Sequence, residues 1–390
     1  MTDLAGLIAP LVALRRDIHA HPELGFAEHR TAGVLAQQLR AIGLEVHEGI
    51  GGTGVVASLR AGNGPRSIGL RADMDALPID EKTGLPYAST IPGCFHGCGH
   101  DGHMAMLLGA AQALAADHSG INGTIHFIFQ PAEEGQGGAK AMIEDGLFER
   151  FPCDRVYALH NWPSLPAGTI ATRAGPIMGA ADRFTIVLSG KGGHAAIPHD
   201  AHDVVLASAA LVQQLHSIVA RNIPASANAV LSITQIRGGQ AFNVIPDEVS
   251  VGGTVRTFDP AVQDRIEQRL RQIAAGIAAS FEVEASVDYT RYYPATINDP
   301  AAAQDALAVA ATVGTALRAP EPAATSEDFS FMLQVRPGAY IWLGQGVGDN
   351  PPPLHNPHYD FNDGVMETGI RLHLALVRHW LGPLGLEDAA

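Results

Sequence analysis

The sequence predicts an α/β protein in two parts: a discontinuous α/β domain with a mostly parallel sheet, and an inserted ferredoxin-like β-α-β-β-α-β domain. Three observations carry this. Over residues 54–160, short near-continuous apolar runs alternate with helical ones, the pattern of strands covered on both faces. Near residue 181 the runs switch to polar/apolar alternation for about 110 residues. From Tyr292-Tyr293-Pro294 onward the first pattern resumes. The boundaries follow: 1–181 with 291–390 for the outer domain, and 182–290 for the insert.

The elements justify themselves in order. Residues 4–39 carry helical spacing that breaks at Pro22. Two apolar strands are expected at 54–59 and 67–71, the second running into Asp73 and Asp75. An alanine-rich helix is expected over 101–116, a buried strand at 124–129, a helix at 139–145 and a strand at 155–160. In the insert, 183–188 alternates as a strand and 203–219 is helical. Two more strands follow at 229–236 and 249–258, then a helix at 261–279 and a strand from 281 to 289. The chain closes with a helix over 301–317, an apolar strand at 339–343 and a helix over 363–380. The polar candidates below fall just past strand ends, where open α/β sheets place their sites.

Bulk composition excludes several function classes. The chain has 390 residues, 46% hydrophobic and 17% charged, with net charge −15 and no block of like charge. That balance argues against nucleic acid or an anionic membrane surface as partner. No apolar stretch reaches the roughly 20 residues of a bilayer span. The start, Met1-Thr2-Asp3-Leu4, lacks the basic and apolar regions of a secretory leader. Three cysteines, an odd number, make a disulfide framework unexpected and point to a reducing cytoplasm. The 18 histidines raise the expectation of metal chemistry.

Residues 97–103 read Gly-Cys-Gly-His-Asp-Gly-His. Cys98 and His100, separated by one glycine, suit a divalent transition metal. A bland alternative is a buried cysteine beside a helix cap. A Cys94/Cys98 zinc knuckle lacks its second pair, since the only other cysteine is Cys153. Thirty residues on, Gln130-Pro131-Ala132-Glu133-Glu134-Gly135 follows an apolar run. Such pairs are usually solvated, but at a strand end on extended backbone the two carboxylates point apart. One would ligate metal while the other handles protons. His160 closes a buried strand and reads equally as ligand or core histidine. Spacing alone leaves His355 and His358 open. Asp73 and Asp75 could accept a ligand's imidazole N–H or orient a carboxylic acid.

The chain resembles a known family. The matching stretches are His19-x-His21-Pro22-Glu23-Leu24-Gly25-Phe26, Arg71–Pro78, Gly97–His103, Pro131–Glu134, Gly190-Lys191-Gly192-Gly193-His194-Ala195-Ala196, Asn243–Pro246 and Leu354–Phe361. They occur in order across nearly the whole chain. The family is that of the di-metal N-acyl-amino-acid amidohydrolases, in the branch of hippurate hydrolases, N-acetyldiaminopimelate deacetylases and auxin-conjugate hydrolases.

The resemblance implies a metallopeptidase-like catalytic domain and an inserted lid that also dimerises. It implies two divalent ions, zinc or manganese first and cobalt or nickel as alternatives, on Cys98, His100, Glu134, His160 and His355. Glu133 would be the general base, oriented by Asp75. Where the wider superfamily has a histidine ligand this chain has Asp73, which the resemblance leaves behind the ligands. His194 would reach the neighbouring subunit's site and stabilise the oxyanion, while Asn243 and Arg256 would hold the substrate's α-carboxylate. The partner expected is a small-molecule N-acyl amino acid, and the assembly a homodimer or a higher oligomer.

The implied reaction hydrolyses an N-acyl amino acid to a carboxylic acid and an amino acid. Glu133 takes the proton of a metal-activated water and passes it to the leaving amine. The rival readings are a di-metal dipeptidase or aminopeptidase, and a catalytically silent metal-binding homologue. Ile177, Met178, Phe242 and Leu343 are candidates for an apolar acyl pocket, each equally readable as core.

Overall fold

The computed structural model describes residues 4–346, 348 and 350–382. The chain divides into two units. One comprises Met1–Ile177, Ile297–Glu321 and Asp328–Ala390; the other comprises Met178–Thr296 and Pro322–Glu327. The sequence places the insert at 182–290; the observed second unit starts and ends a few residues outside this and also takes in 322–327.

The first unit is built on an eight-stranded sheet. Its centre is four parallel strands in the order Gly123–Gln130, Ser67–Asp73, Arg155–Pro166 and Gly338–Gly346. Ser67–Asp73 is buried along its whole length, which is why it reads as a continuous apolar run. Antiparallel strands Gly54–Ala61 and Glu45–Ile50 extend the sheet on one side. On the other side Thr169–Thr172 pairs antiparallel with Gly338–Gly346, and Thr315–Arg318 pairs parallel with Thr169–Thr172.

One sheet face, with Leu70, Ala72, Phe127, Phe129, Leu159 and Ile341, packs on helices Ala5–Ala20, His100–Ala116 and Met366–Leu381 to form the main core. Parallel strands run the same way, so Asp73, Gln130 and His160 come out together at the carboxyl edge. That edge carries the site.

The helix expected over 301–317 stops at Val313. Gly314 is extended, and Thr315–Arg318 becomes an edge strand because Thr169–Thr172 offers it a backbone partner. Local alanine-rich propensity loses to sheet pairing. Glu45–Ile50 is a strand that sequence periodicity does not predict; it is a polar, mostly exposed outer strand with little hydrophobic signal.

The second unit is a β-α-β-β-α-β fold with sheet order Ala229–Gly238, Glu248–Thr257, Ala180–Ser189, Glu284–Tyr293, all neighbours antiparallel. Ala180–Ser189 alternates buried and solvent-facing residues, as a one-sided sheet requires. Helices Val204–Asn222 and Pro260–Phe281 pack on it and on each other. Asp203 and Asp259 cap them, Asp203 accepting two backbone N–H groups of the first turn and Asp259 that of Ala261, with Pro260 at the first helical position.

By length and apolar composition Val204–Asn222 could cross a bilayer, contrary to the expectation that no stretch qualifies. Its Val204, Ala207, Leu211, Leu215 and Ile218 are instead buried in this unit's core. Polar residues punctuate the run and hide its length from a search for continuous apolar sequence.

Candidate metal centre

The site grows from three loops at the carboxyl edge of the first unit's sheet. The first is the turn into helix His100–Ala116. Gly99 has φ +88°, and a Cβ there would lie 2.4 Å from Tyr359 Oη and 2.5 Å from Asn161 Oδ1. Only glycine fits both the dihedral and the space, and this sets Cys98 and His100 side by side.

His100 donates from Nδ1 to the backbone oxygen of Asp75 at 2.8 Å, and His160 from Nδ1 to the backbone oxygen of Asn161 at 2.8 Å. Both imidazoles thus turn Nε2 inward, the nitrogen each would offer to a metal ion. Cys98 Sγ lies 3.5 Å from His160 Nε2. His100 Nε2 is 3.9 Å from Glu134 Oε1, and His355 Nε2 is 3.2 Å from that same oxygen. His100 Nε2 and Glu134 Oε1 are buried and have no hydrogen-bond partner. The structure therefore brings together all five residues implied by the resemblance. His358, exposed like His355 itself, has no imidazole contact with these groups among the described residues.

The donor set fits divalent ions. Cys98, His100 and Glu134 offer ligand atoms within 4.8 Å of one another, and so do Asp73, His100, His103 and His160. Unpartnered buried nitrogen and oxygen atoms with a thiol beside them around one space are what a mixed-ligand cation site presents. Electrostatics agree. Burial, with Glu134, Glu133 and Asp73 nearby, raises the Cys98 thiol well above its ordinary range. Burial lowers the His100 pKa, but Asp73, Asp75 and Glu134 outweigh it and lift the value to about 10. The pocket is short of positive charge. His160 is held well below its usual value by burial and by His103, so it stays neutral.

His103 belongs to the layer behind the ligands. Its Nδ1 lies 2.6 Å from Asp73 Oδ1, while Nε2 accepts from Asn161 N at 3.0 Å. Asp73 in turn accepts from Arg71 Nη1 at 2.6 Å. Both Asp73 oxygens are thus engaged by Arg71 and His103. Arg71 also reaches Gln130 and Asp328. This buried arginine is absent from the candidates drawn from sequence, although a charge in the middle of Ser67–Asp73 must find carboxylates.

Glu133 and Glu134 lie in a turn, and the expectation of extended backbone is corrected. Asp75 Oδ1 accepts Glu133 N at 3.0 Å, and Oδ2 accepts Glu134 N at 2.9 Å. On a strand, successive N–H groups point to opposite sides, so one carboxylate capturing both requires a turn. Ala132, with φ +53°, begins it. The third loop brings His355, itself at φ +65°, with its N–H on Gly97 O at 2.8 Å.

In the second unit, two-residue strands Gly193–His194 and Val244–Ile245 pair, and Ala195 N donates to Asn243 O at 3.0 Å. His194 and Asn243 are therefore neighbours, and both are exposed. Arg256 is half-buried, bonded to Thr254 and Val255. It pairs with Ala181, at the opposite end of its strand from the Glu248–Ser189 pair. Of the acyl-pocket candidates, Leu343 points into the main core, Ile177 and Met178 are buried and Phe242 is fully exposed.

Behind the Cys98 loop, His19 bonds Asp101 at 2.8 Å and approaches Glu81 at 3.4 Å, with Arg15 also on Asp101. Burial lowers the His19 pKa, but the bonds to Asp101 and Glu81 outweigh it and raise the value to about 9. A raised value means stabilisation present below about pH 6.5 and lost as pH rises through about 9. We expect up to about 3 kcal/mol to disappear over that window. Thermal midpoints measured from pH 6 to 10 should fall accordingly, and His19→Gln should flatten the slope. An unchanged slope in the variant would assign the loss elsewhere.

Residues 69–379 match the family described as Peptidase family M20/M25/M40. The chain is 40% identical to a hippurate hydrolase of Campylobacter jejuni, over 94% of this chain and 96% of that protein. It is 38% identical to thermostable carboxypeptidase 1 of Saccharolobus solfataricus, over 94% of each. Among solved structures, the Bacillus subtilis YXEP protein, a dinuclear metal binding peptidase from the M20 family, superposes with TM-score 0.86 at 33% identity. That match covers 97% of this chain and 99% of the other.

Proposed function

The chain belongs to peptidase family M20/M25/M40, and from that membership we propose that it cleaves the amide between an acyl group and an amino acid with a free α-carboxylate. It is a metal-dependent amidohydrolase of N-acyl amino acids that uses two divalent ions. Hippurate hydrolysis and carboxypeptidase cleavage share that bond type, an amide whose nitrogen belongs to an amino acid with a free carboxylate. One observation carries the reading: a buried, cation-short cluster of sulfur, imidazole and carboxylate donors lies beside a second carboxylate, Glu133, on the same turn.

Cys98, His100, Glu134, His160 and His355 would hold the ions, which supply Lewis acidity toward the amide carbonyl and toward water. Glu133 accepts the proton of the attacking water and carries it to the departing nitrogen, so the amino acid leaves as a neutral amine. Asp75 keeps the Glu133–Glu134 turn in register. His194 of a second subunit donates to the developing oxyanion. Asn243 and Arg256 receive the α-carboxylate, the guanidinium through its forked donors. His194 and Asn243 lie beyond the opposite strand end from Arg256 within one chain, which supports their meeting one substrate only across two subunits.

The test is side-by-side hydrolysis of N-benzoylglycine, N-acetyl amino acids and free dipeptides, with and without chelator. N-acyl amino acids should be turned over, chelation should stop the reaction, and zinc or manganese should restore it. Cleavage of free dipeptides alone would replace the reading with a di-metal dipeptidase.

The protein is a homodimer through the second unit. Supporting this, strand Ala229–Gly238 lies at the sheet edge with Val230 and Ile236 exposed, and Val205 and Leu206 are exposed on the helix. Light scattering at micromolar concentration should give twice the chain mass, and Ile236→Lys should lower it; a monomeric wild type would reject the arrangement. Its place is the cytoplasm, supported by three buried free cysteines.

A further inference from the structure

The N-terminal run His21-Pro22-Glu23-Leu24-Gly25-Phe26-Ala27-Glu28 supplies neither a ligand nor a proton-transfer group, yet it ends in a buried carboxylate. Glu28 is 0% exposed. One of its oxygens accepts Ala132 N–H at 2.8 Å, and the other accepts the Thr53 hydroxyl at 2.5 Å. Burial raises its pKa, so these bonds offset a desolvation penalty at a place where no surface carboxylate would incur one.

Ala132 is itself fully buried and holds φ +53°, a region alanine avoids. Its carbonyl accepts Gly138 N at 3.0 Å, closing the turn that carries Glu133 and Glu134. The same N-terminal run grips the strand end that carries Asp75. Ala76 N donates to Glu23 O at 2.8 Å, and Leu24 bridges Ala76. At Gly25 a Cβ would stand 3.0 Å from Ala132 Cα, so the run lies directly against the turn.

We infer that Glu28 is a positioning residue for the proton-transfer carboxylate: it holds Ala132 in its left-handed conformation and thereby aims Glu133 in the amide hydrolysis proposed above. The inference rests on that reading of Glu133. Relaxation of Ala132 to an ordinary negative φ would swing the next side chain, and misplacement by about 1 Å is enough to cost ~100-fold in rate.

The test compares Glu28→Ala, Glu28→Gln and the double variant Glu28→Ala with Ala132→Gly, as full-length metal-loaded protein. Glu28→Ala should lower kcat ~10- to 100-fold, with KM changed by no more than ~2-fold and metal content unchanged by elemental analysis. Glutamine keeps an acceptor for Ala132 N–H and should recover most of the loss. Glycine at 132 takes positive φ freely, so the double variant should turn over faster than Glu28→Ala alone. Unimpaired kcat in Glu28→Ala, loss of metal in proportion to activity, or failure of both rescues would each overturn the inference.

Should Glu28→Ala not fold, Thr53→Val removes one of the two bonds and should still lower kcat by ~3- to 10-fold. A wild-type kcat there would overturn the inference instead. Amide hydrogen exchange separates this from failure of the functional reading. Exchange over residues 130–136 should accelerate in Glu28→Ala, or in Thr53→Val, while residues 155–161 stay protected, whether or not any N-acyl amino acid is hydrolysed. Unchanged exchange over 130–136 would overturn the brace.

Discussion

Replacing Glu133 with alanine should leave both metal ions bound and lower kcat by at least ~100-fold, the lower range for loss of a general acid–base group. The expectation follows from how the turn is held. Asp75 captures the backbone N–H groups of residues 133 and 134, not their side chains, so truncation at 133 leaves the Glu134 carboxylate in place. Glu133→Gln should be as slow as alanine, because the amide keeps size and polarity but accepts no proton at neutral pH. Elemental analysis and steady-state kinetics on the same preparations check this. Activity near wild type in either variant would remove Glu133 from proton transfer, and equal loss of metal would make it a ligand instead.

Replacing Cys98 with alanine should lower bound metal and kcat together. The thiol lies 3.5 Å from His160 Nε2 and close to His100 and Glu134. Burial and the neighbouring carboxylates raise its pKa well above the ordinary value, so without a cation it is protonated. Metal binding must then displace that proton, and affinity should strengthen by up to ~10-fold per pH unit for each proton released, the thiol's among them. Chelator competition between pH 6 and 8 should show this slope in the wild type and a shallower one in Cys98→Ala. Full stoichiometry with an unchanged slope in the variant would make the thiol purely structural. Oxidation of the thiol should mimic the variant, since sulfenic or sulfinic sulfur is no longer a thiolate donor.

The residues that carry chemistry at short spacing are legible in the sequence. Cys98 and His100 are tied by a glycine whose necessity the structure explains through Tyr359 and Asn161. The adjacent carboxylates are legible as a pair, but their backbone is not. The turn exists because Asp75 gathers two consecutive N–H groups from 58 and 59 residues away in sequence. His355 cannot be told from His358 by spacing. The choice is made by a backbone bond to Gly97 and a positive φ, which aim the His355 imidazole at Glu134.

Groups acting through other groups leave weaker traces. Arg71, Asp328 and Glu28 are charged residues inside segments that otherwise read as core or helix start. A buried charge in an apolar strand is itself a signal, since it cannot persist without partners. Its partners, however, lie up to 257 residues away. The edge strand Thr315–Arg318 shows the same limit in the fold: its identity depends on an available neighbour, not on its own side chains.

By itself the amino-acid sequence determined the α/β class, the ferredoxin-like insert, the cysteine–histidine loop and the carboxylate pair. Periodicity and residue chemistry are local properties, written into short stretches of chain. Tertiary structure alone decided which late histidine joins the cluster, which ring nitrogen each imidazole turns inward and which buried carboxylates brace the Glu133 turn. Those outcomes depend on donor and acceptor groups meeting across long sequence separations, where a displacement of an ångström makes or removes a hydrogen bond.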